Sequence, residues 1–310
     1  MAPARVLRIG STGFAGGHFL EAARTAGYDV ATAARRPGAA DLTCDLLEPD
    51  SIRAAIAGSE PDAVVNLAGA ASVGRSWREP GGAFEVNAAG VVNLLAAAAE
   101  SAPEAHLLCV SSGEIYGAPG PDQLPLTEDA GVEPVNPYGT SKAAMELVCD
   151  QYARSHGLRI AVPRAFNHLG PGQSDAFAAS SFARQIATAE AEGADRVALR
   201  TGDLSPERDF SDVRDVVRAY VLALDSGLTG PVNVCSGEAT PLHALVAELE
   251  RQARVEVEVQ ATVEESRLRP IEAPRIFGSY ERLRAATGWK PNTTLERTLG
   301  DILDWWRGRL

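Results

Sequence analysis

The sequence predicts an α/β fold built on a parallel sheet with helices on both faces. Two observations lead to this class. Short apolar runs that are typical of buried strands alternate with helical stretches through the first half of the chain. The 310 residues, 45% of them hydrophobic and 23% charged, are also enough for a large core without disulfides or a structural metal.

The alternation can be followed element by element. Strands are predicted over residues 5–9, 28–33, 63–67, 106–111 and 159–163. The helices between them are predicted over residues 14–26, 51–57, 82–101 and 137–156, and the second of these is expected to open on a Ser or Asp cap. Crossover connections of this kind are right-handed.

The regular alternation ends after residue 163. Residues 167–174 are rich in Gly and Pro and are predicted to form a loop. Ser211 and Asp212 are candidate caps for a helix whose apolar residues recur at helical spacing. The expected helices cover residues 178–192, 211–224, 241–253 and 295–307, with a short strand over 231–235.

This pattern predicts two domains. A domain built on the parallel sheet is expected over residues 1–166, with residues 209–235 returning to it. A smaller mixed α/β domain is expected over residues 167–310. The chain shows no low-complexity linker, so the two are expected to pack tightly.

Charge and cysteine content exclude several classes of function. The net charge of −12 disfavours nucleic acid or an anionic membrane as the main partner, because both select basic surfaces. The four cysteines lack metal or disulfide spacing, so we expect no metal site and free thiols in a reducing cytoplasm. The longest nearly apolar run, residues 88–99, is far shorter than the roughly 20 residues that span a bilayer.

A glycine-rich turn directly follows the first predicted strand. In GSTGFAGG, Gly10, Gly13 and Gly16 form a G-x-x-G-x-x-G pattern. Glycines there allow a sharp turn and the close approach of a pyrophosphate to a helix N-terminus. Such turns also serve plain strand-to-helix packing, but this one lies between the first strand and the first helix. It therefore predicts a Rossmann dinucleotide-binding fold.

The end of the second strand bears on the choice of cofactor. NAD-binding sheets usually carry an acid there, whereas this chain has Ala33, Ala34, Arg35 and Arg36. Two guanidinium groups suit a 2′-phosphate, so NADP(H) is predicted, with NAD(H) as the alternative if both arginines only decorate a loop. Asp45 is expected either to accept a hydrogen bond from the adenine amino group or to cap the segment that follows.

Tyr138 and Lys142 lie four residues apart in Y-G-T-S-K, near the start of a predicted helix. This spacing puts both side chains on one helical face. An ammonium group beside a phenol is expected to lower the pKa of the phenol, which would make Tyr138 a general acid or base at a carbonyl. The spacing alone is common by chance, but Lys142 is one of two lysines among 29 basic residues.

Ser111 and Ser112 end the fourth long strand, where ligands of open parallel sheets bind. The Ser112 hydroxyl is predicted to hold the substrate oxygen that Tyr138 protonates; capping of a turn is the other interpretation. Asn87, in the preceding predicted helix, is expected to support the site through water or main chain. A purely structural role for this buried amide is the alternative.

Together these motifs resemble those of extended short-chain dehydrogenases/reductases, in the branch that modifies nucleotide sugars. The resemblance covers nearly the whole chain and includes N-L-A-G, S-S-G-E-I-Y-G, Y-G-T-S-K and the C-terminal G-W-K-P. Within the branch, four segments are most similar to GDP-4-keto-6-deoxymannose reductases, which make GDP-D-rhamnose. These segments are P-R-A-F-N-H-L-G-P-G-Q, R-D-F-S-D-V-R-D-V-V-R-A-Y, N-V-C-S-G and R-L-R-P.

The resemblance implies that the domain at residues 1–166 is an NAD(P)-binding Rossmann domain and that the domain at residues 167–310 binds the nucleotide sugar. It also implies roles for individual residues. Ser112, Tyr138 and Lys142 match the catalytic triad. The sugar nucleotide is expected at Ser112, Glu114, Asn167, Arg184, Arg208 and Arg269. Arginines suit this task because they form bidentate hydrogen bonds with phosphate. Cofactor contacts are implied at Thr12, Phe14, Ala15, Leu46, Leu67, Ala68, Gly69 and Ser111, besides the glycines, arginines, Asp45, Asn87 and triad residues named above.

Glu114 occupies the position where related 4,6-dehydratases keep a base, and reductases of the group also carry Glu there. We count it among the candidate catalytic residues, with an inert hydrogen-bonding role as the alternative. Gly113 supplies no acid before it, and residues 208–210 read R-D-F rather than R-D-W. Both features favour a reductase.

The resemblance therefore implies NADP(H)-dependent reduction of the C4 keto group of a nucleotide-linked 4-keto-6-deoxyhexose. Conversion of GDP-4-keto-6-deoxy-D-mannose to GDP-D-rhamnose is the first candidate. The alternative is a 4,6-dehydratase or 4-epimerase with tightly bound NAD(P), and a more remote one is a non-catalytic nucleotide-sensing module. The resemblance also implies a homodimer formed through the helices at residues 82–101 and 137–156.

Overall fold

A computed structural model describes residues 4–261 and 273–310 of the chain, so the predicted contact Arg269 lies outside the described residues. The expected fold class is confirmed: a central sheet of eight parallel strands runs in the order β12-β7-β5-β4-β1-β2-β3, with β6 also pairing with β7. Its strands are β1 (Arg5–Ile9), β2 (Asp29–Ala34), β3 (Leu42–Thr43), β4 (Ala63–Asn66), β5 (His106–Cys109), β6 (Ser111–Ser112), β7 (Arg159–Ala165) and β12 (Gly230–Val234).

Helices cover both faces of this sheet. One face packs against α2 (Pro49–Ser59), α5 (Gly90–Ser101) and α6 (Pro137–His156). The other packs against α1 (Phe14–Thr25), α8 (Val213–Asp225) and α10 (Glu281–Thr287). The strands read as apolar runs because both of their faces are buried.

Two predicted helices differ from those observed. The helix expected at 82–101 begins at Pro80 as α4 (Pro80–Phe84), widens into a π turn at Glu85–Ala89 and continues as α5. The helix expected at 51–57 begins at Pro49, and its N-cap Glu48 makes no side-chain cap hydrogen bond. The predicted Ser or Asp cap is therefore wrong, because a proline starts this helix.

The stretch Pro80–Ser101 is long and apolar enough, by length and composition alone, to cross a membrane. The nearly apolar run at residues 88–99 forms part of this stretch. Forty-four per cent of the most apolar window is buried inside the protein, where α5 packs against α2 and α6. A core helix of a soluble protein passes the same test. The four cysteines are buried free thiols, as predicted.

Apart from β12, α8 and α10, the described part of the chain beyond β7 does not belong to the central sheet or to the helices that cover it. Its helices α7 (Ala178–Ala191), α9 (Leu242–Gln252) and α11 (Leu295–Arg307) share a separate apolar core. Three small sheets accompany them. They pair β8 (Asn167–Leu169) with β11 (Phe210–Asp212), β9 (Arg196–Thr201) with β14 (Glu256–Ala261), and β10 (Glu207–Arg208) with β13 (Thr240–Pro241) and β15 (Arg275–Ile276).

Part of the predicted loop at 167–174 is a strand. Residues of β8 pair in parallel with β11, which lies more than 40 residues away in the sequence. No local pattern reports such a pairing. The helix expected at 211–224 begins at Val213, and Asp212 caps it by accepting a hydrogen bond from the Arg214 backbone N–H at 2.7 Å. Ser211 belongs to β11 instead.

Candidate active site

The glycine-rich turn leaves β1 at the carboxyl edge of the sheet. Gly10 has φ +87°, and a Cβ there would lie 2.5 Å from the Ala68 backbone nitrogen. A Cβ on Gly16 would lie 2.9 Å from the Gly10 carbonyl oxygen. Both positions therefore require glycine, the first for its conformation and both for space.

The residues after β4 reach the same place. A Cβ on Gly69 would lie 2.9 Å from Asn87 Oδ1 and 3.5 Å from Lys142 Nζ. The Asn87 amide accepts a hydrogen bond from the Ala70 N–H at 2.9 Å and donates to the Ala70 carbonyl and to Ser141 Oγ. The structure thus brings the glycine turn, residues 67–69, Asn87 and Lys142 into one cradle, in which Asn87 acts through main chain and a helix side chain.

The residues predicted to contact the adenine and 2′-phosphate end of the cofactor lie at several different places in the structure. Arg35 and Arg36 are exposed immediately after β2, whose Ala33 carbonyl accepts hydrogen bonds from the Gly10 and Ser11 N–H groups at 3.1 Å. Asp45 Oδ1 accepts a hydrogen bond from the Leu47 N–H at 3.0 Å, the capping role that was one of its two predicted roles. Of the remaining predicted contacts of this group, Thr12 lies in the turn before α1, Phe14 and Ala15 begin α1, and Leu46 is buried before α2.

Ser112, Tyr138 and Lys142 are all buried, at the end of β6 and in the first two turns of α6. Tyr138 and Ser112 share a side-chain hydrogen bond. Lys142 Nζ donates to the Val110 carbonyl oxygen at 2.7 Å. The i, i+4 spacing and the strand end therefore meet as the sequence predicts.

The electrostatics of this group differ from one expectation. Burial raises the pKa of Tyr138 to about 12; the hydrogen bond with Ser112 lowers it in part, and the charge of Glu114 raises it. The predicted net lowering of the Tyr138 pKa is wrong for this arrangement, because the enclosed phenolate loses its hydration and this outweighs any effect of a nearby positive charge. Burial also lowers the pKa of Lys142 to about 8, against the opposing influence of Cys109, Cys149 and Glu146. At neutral pH Tyr138 holds its proton and Lys142 is mostly charged.

Glu114 lies on the short 3₁₀ turn that follows Ser112. Its backbone N–H donates to Ser112 Oγ at 3.2 Å, and its Oε2 accepts a hydrogen bond from Asn136 Nδ2 at 2.7 Å. Ser112 therefore caps this turn, which is the second of its two predicted roles. The carboxylate is half-buried and close enough to Tyr138 to influence its pKa.

The residues present fit a bound nicotinamide dinucleotide. Two glycines leave room for a close approach of the backbone, and the adjacent Gly69 leaves room between Asn87 and Lys142. Within residues 4–261 and 273–310, the buried Ser111 Oγ finds no hydrogen-bond partner, which suits a site that completes its bonds with a ligand.

The predicted substrate residues are more scattered. Asn167 is exposed at the start of β8. Arg208 is buried in β10, and its Nη1 donates to the Glu207 carbonyl at 2.8 Å. Arg184, in contrast, is half-exposed, forms an ion pair with Asp175 and lies 5.4 Å from the ring centroid of Trp306.

Arg208 is followed by a buried acid that holds its strand in place. Asp209 accepts hydrogen bonds from the Ser236 N–H at 2.6 Å and hydroxyl at 2.7 Å, and from the N–H groups of Gly237 and Gly278 at 3.0 and 3.3 Å. Burial raises the pKa of Asp209 to about 6, against these bonds. The R-D-F motif thus combines a candidate ligand with its own anchor.

Three residues that shape the site were not predicted from the sequence. Asn136 caps α6 and binds Glu114. Ser76 Oγ accepts a hydrogen bond from the Tyr138 N–H at 3.2 Å, and Ser141 Oγ donates to the Tyr138 carbonyl at 2.7 Å. Only Asn136 carried a local signal, because Asn before a proline is typical of a helix start.

Comparison with known proteins shows which family the chain belongs to. The profile of the NAD dependent epimerase/dehydratase family matches residues 6–235, which is more than half of the chain. The chain belongs to this family. Its resemblance to extended short-chain dehydrogenases/reductases is thereby confirmed, and we conclude that it is an NAD(P)-dependent oxidoreductase of that type.

Individual members of the family are similar over most of their length. GDP-6-deoxy-D-mannose reductase of Pseudomonas aeruginosa is 40% identical over 267 residues, which cover 86% of each chain. The structure of RMD from Pseudomonas aeruginosa complexed with NADPH superposes with a TM-score of 0.86 at 36% identity, covering 99% of this chain and 100% of that one. Thermus thermophilus UDP-glucose 4-epimerase in complex with NAD gives 0.87 at 29% identity, covering 99% and 100%.

Proposed function

We propose that the protein reduces the C4 keto group of a nucleotide-linked 4-keto-6-deoxyhexose with NADPH, and that its substrate is GDP-4-keto-6-deoxy-D-mannose. The observation that carries the proposal is the buried Ser112–Tyr138–Lys142 group beside the glycine cradle. The 40% identity with a GDP-6-deoxy-D-mannose reductase supports this substrate class.

Tyr138 supplies the proton in this mechanism. Its hydroxyl is protonated at neutral pH because burial raises its pKa to about 12, and an alkoxide formed at the sugar is a stronger base than the phenolate. Ser112, which shares a hydrogen bond with Tyr138, holds the carbonyl oxygen in the same place. When bound, the reduced nicotinamide supplies the hydride that the carbonyl carbon accepts.

Lys142 orients the cofactor and balances charge. Its ammonium group is fixed by the Val110 carbonyl, faces Gly69 and Asn87, and stays charged at neutral pH. We assign it to the ribose hydroxyls next to the nicotinamide. A phenolate at Tyr138 after proton transfer would be stabilised by this neighbouring positive charge.

We assign some arginines to the cofactor and others to the nucleotide sugar. Arg35 and Arg36 follow β2 without an acidic residue at that strand end, which supports a 2′-phosphate and hence NADP(H) over NAD(H). For the nucleotide-sugar diphosphate we assign Arg208, in β10. We also assign Asn167, at the start of β8, to the nucleotide sugar. Arg184 is a weaker candidate, because Asp175 already binds its guanidinium group.

Stoichiometry tests the reaction class. The purified protein is mixed with GDP-4-keto-6-deoxymannose and NADPH, and absorbance at 340 nm is followed beside the amount of product. One NADPH oxidised per sugar supports the reductase. Conversion of GDP-mannose or UDP-glucose without net NADPH oxidation would instead favour a dehydratase or an epimerase.

We further propose a cytoplasmic homodimer that pairs α5 and α6 of two subunits. Leu147 on α6 is 72% exposed, and Val92 on α5 and Phe84 on α4 are also exposed apolar residues near this helix pair. The four free thiols support a reducing compartment. Light scattering should give the dimer mass for the wild type and the monomer mass for Leu147→Glu; a monomeric wild type would contradict the proposal.

A further inference from the structure

One side chain fastens the first turn of α6 to the turn that follows β6. The buried Asn136 accepts a hydrogen bond from the Gly139 N–H through Oδ1 at 2.8 Å, which caps α6. Through Nδ2 it donates to Glu114 Oε2 at 2.7 Å. Both ends of one amide are thus used, one toward the helix and one toward the candidate site.

These hydrogen bonds are part of a network that links the reacting groups to one another. Glu114 binds Ser112 through its backbone N–H, Ser112 binds Tyr138, and Tyr138 precedes Gly139 in the capped turn. The two turns also touch directly, since a Cβ on Gly139 would lie 2.6 Å from the Glu114 carbonyl oxygen. The positions of Ser112, Glu114 and Tyr138 are therefore mutually dependent.

We propose that Asn136 is a positioning residue, whose amide holds one oxygen of the Glu114 carboxylate so that the other accepts a hydrogen bond from a sugar hydroxyl beside the reacting carbonyl. The inference rests on the proposed function and adds a specificity role for this pair. Glu114 is half-buried, so a substrate can reach it, whereas Asn136 is buried and acts only through Glu114.

Substitutions at position 136 can distinguish this positioning role from helix capping alone. Asn, Asp and Ser all cap helices well, but only Asn also offers an N–H donor. Asn136→Asp keeps the cap and places a second carboxylate against Glu114. Glu114→Gln keeps an oxygen that accepts from Asn136. The double variant restores a hydrogen bond with reversed direction, because the Gln amide donates to the Asp carboxylate.

The experiment measures kcat/KM for NADPH-dependent reduction of GDP-4-keto-6-deoxymannose in the four proteins. We expect Asn136→Asp to lose about 10-fold or more, a typical effect of a broken charge-assisted hydrogen bond. The double variant should return to within about two-fold of Glu114→Gln, which is strong non-additivity. All four should remain folded at the assay temperature, because each keeps the cap.

Two results would overturn the inference. One is a double variant whose loss is the product of the two single losses; the other is an Asn136→Asp protein with wild-type kcat/KM. A wild type that reduces no 4-keto sugar would refute the proposed function instead. In that case the urea unfolding midpoints of the four proteins decide: non-additive midpoints support the Asn136–Glu114 coupling, and additive midpoints refute it.

Discussion

The central sheet up to β7 and the later small sheets differ in how the chain forms them, although β12, α8 and α10 return from the later part of the chain to the central sheet. The first is a series of apolar strands whose helices follow directly in the sequence, so each element is a local unit. The second depends on pairings of two to six residues between distant segments. Local patterns therefore predict the central sheet well and the later small sheets poorly.

Functional side chains show the same difference. In the sheet region, Tyr138, Lys142 and the glycine turn lie where strand ends and helix starts place them. Beyond it, Arg184 and Arg208 look alike in the sequence, yet one is a half-exposed ion pair and the other is buried in a strand. Substitutions in the two regions should accordingly affect different kinetic parameters.

Tyr138→Phe should have the largest effect. Because this change removes the proton donor and keeps the ring, kcat should fall by about 10²–10⁴-fold while the KM values for NADPH and substrate change little. The measurement is steady-state NADPH oxidation. A variant that keeps kcat within a few fold of the wild type would show that another group donates the proton.

Replacing Arg35 and Arg36 should act on the cofactor alone. In Arg35→Ala/Arg36→Ala, the KM for NADPH should rise by about 10–100-fold, since two charged contacts to a 2′-phosphate are lost. The KM for NADH should stay nearly unchanged. Arg154→Ala is the matched control, because that exposed arginine pairs only with Asp150 on α6 among its described ion pairs. Equal losses for both cofactors would contradict the NADP(H) assignment.

Substitutions of the two arginines outside the central sheet should differ in their effect on the KM for the nucleotide sugar. Arg208→Gln should raise the KM for the nucleotide sugar by about 10-fold, as expected for a lost phosphate contact. Arg184→Gln should change it by less than about three-fold, because Asp175 and Trp306 engage that side chain and exposed ion pairs contribute little. The reverse order would show that exposure does not distinguish these residues.

The smallest of these effects is the contribution of Lys142 to the pH dependence of stability, which is separate from its role in turnover. Its pKa is lowered from 10.5 to about 8 by burial, so between these values the unfolded chain binds the extra proton. The free energy of unfolding of the wild type should therefore rise with pH in this window, by about 1–3 kcal/mol relative to Lys142→Met. Urea titrations from pH 7.5 to 10.5 measure the difference. Parallel pH profiles would show that the lysine is not buried as described.

How much could be predicted depends on the range of the interactions. Strand and helix order up to β7, the glycine turn and the Tyr138–Lys142 spacing follow from local pattern. The hydrogen bonds of Asn87, which lies in the π turn, could not be predicted, because their partners Ala70 and Ser141 come from other parts of the chain. The raised pKa of Tyr138 was missed for a related reason: desolvation depends on everything packed around the ring, whereas the sequence showed only one neighbouring charge.

The most direct test of the account follows the hydrogen that the sugar gains. The protein is incubated with GDP-4-keto-6-deoxymannose and NADPH deuterated at either face of nicotinamide C4, and the product is analysed by NMR. We predict deuterium at sugar C4 from one of the two labelled cofactors, with one equivalent of NADP⁺ formed. A converted sugar without deuterium at C4 from either cofactor would contradict a C4 reductase.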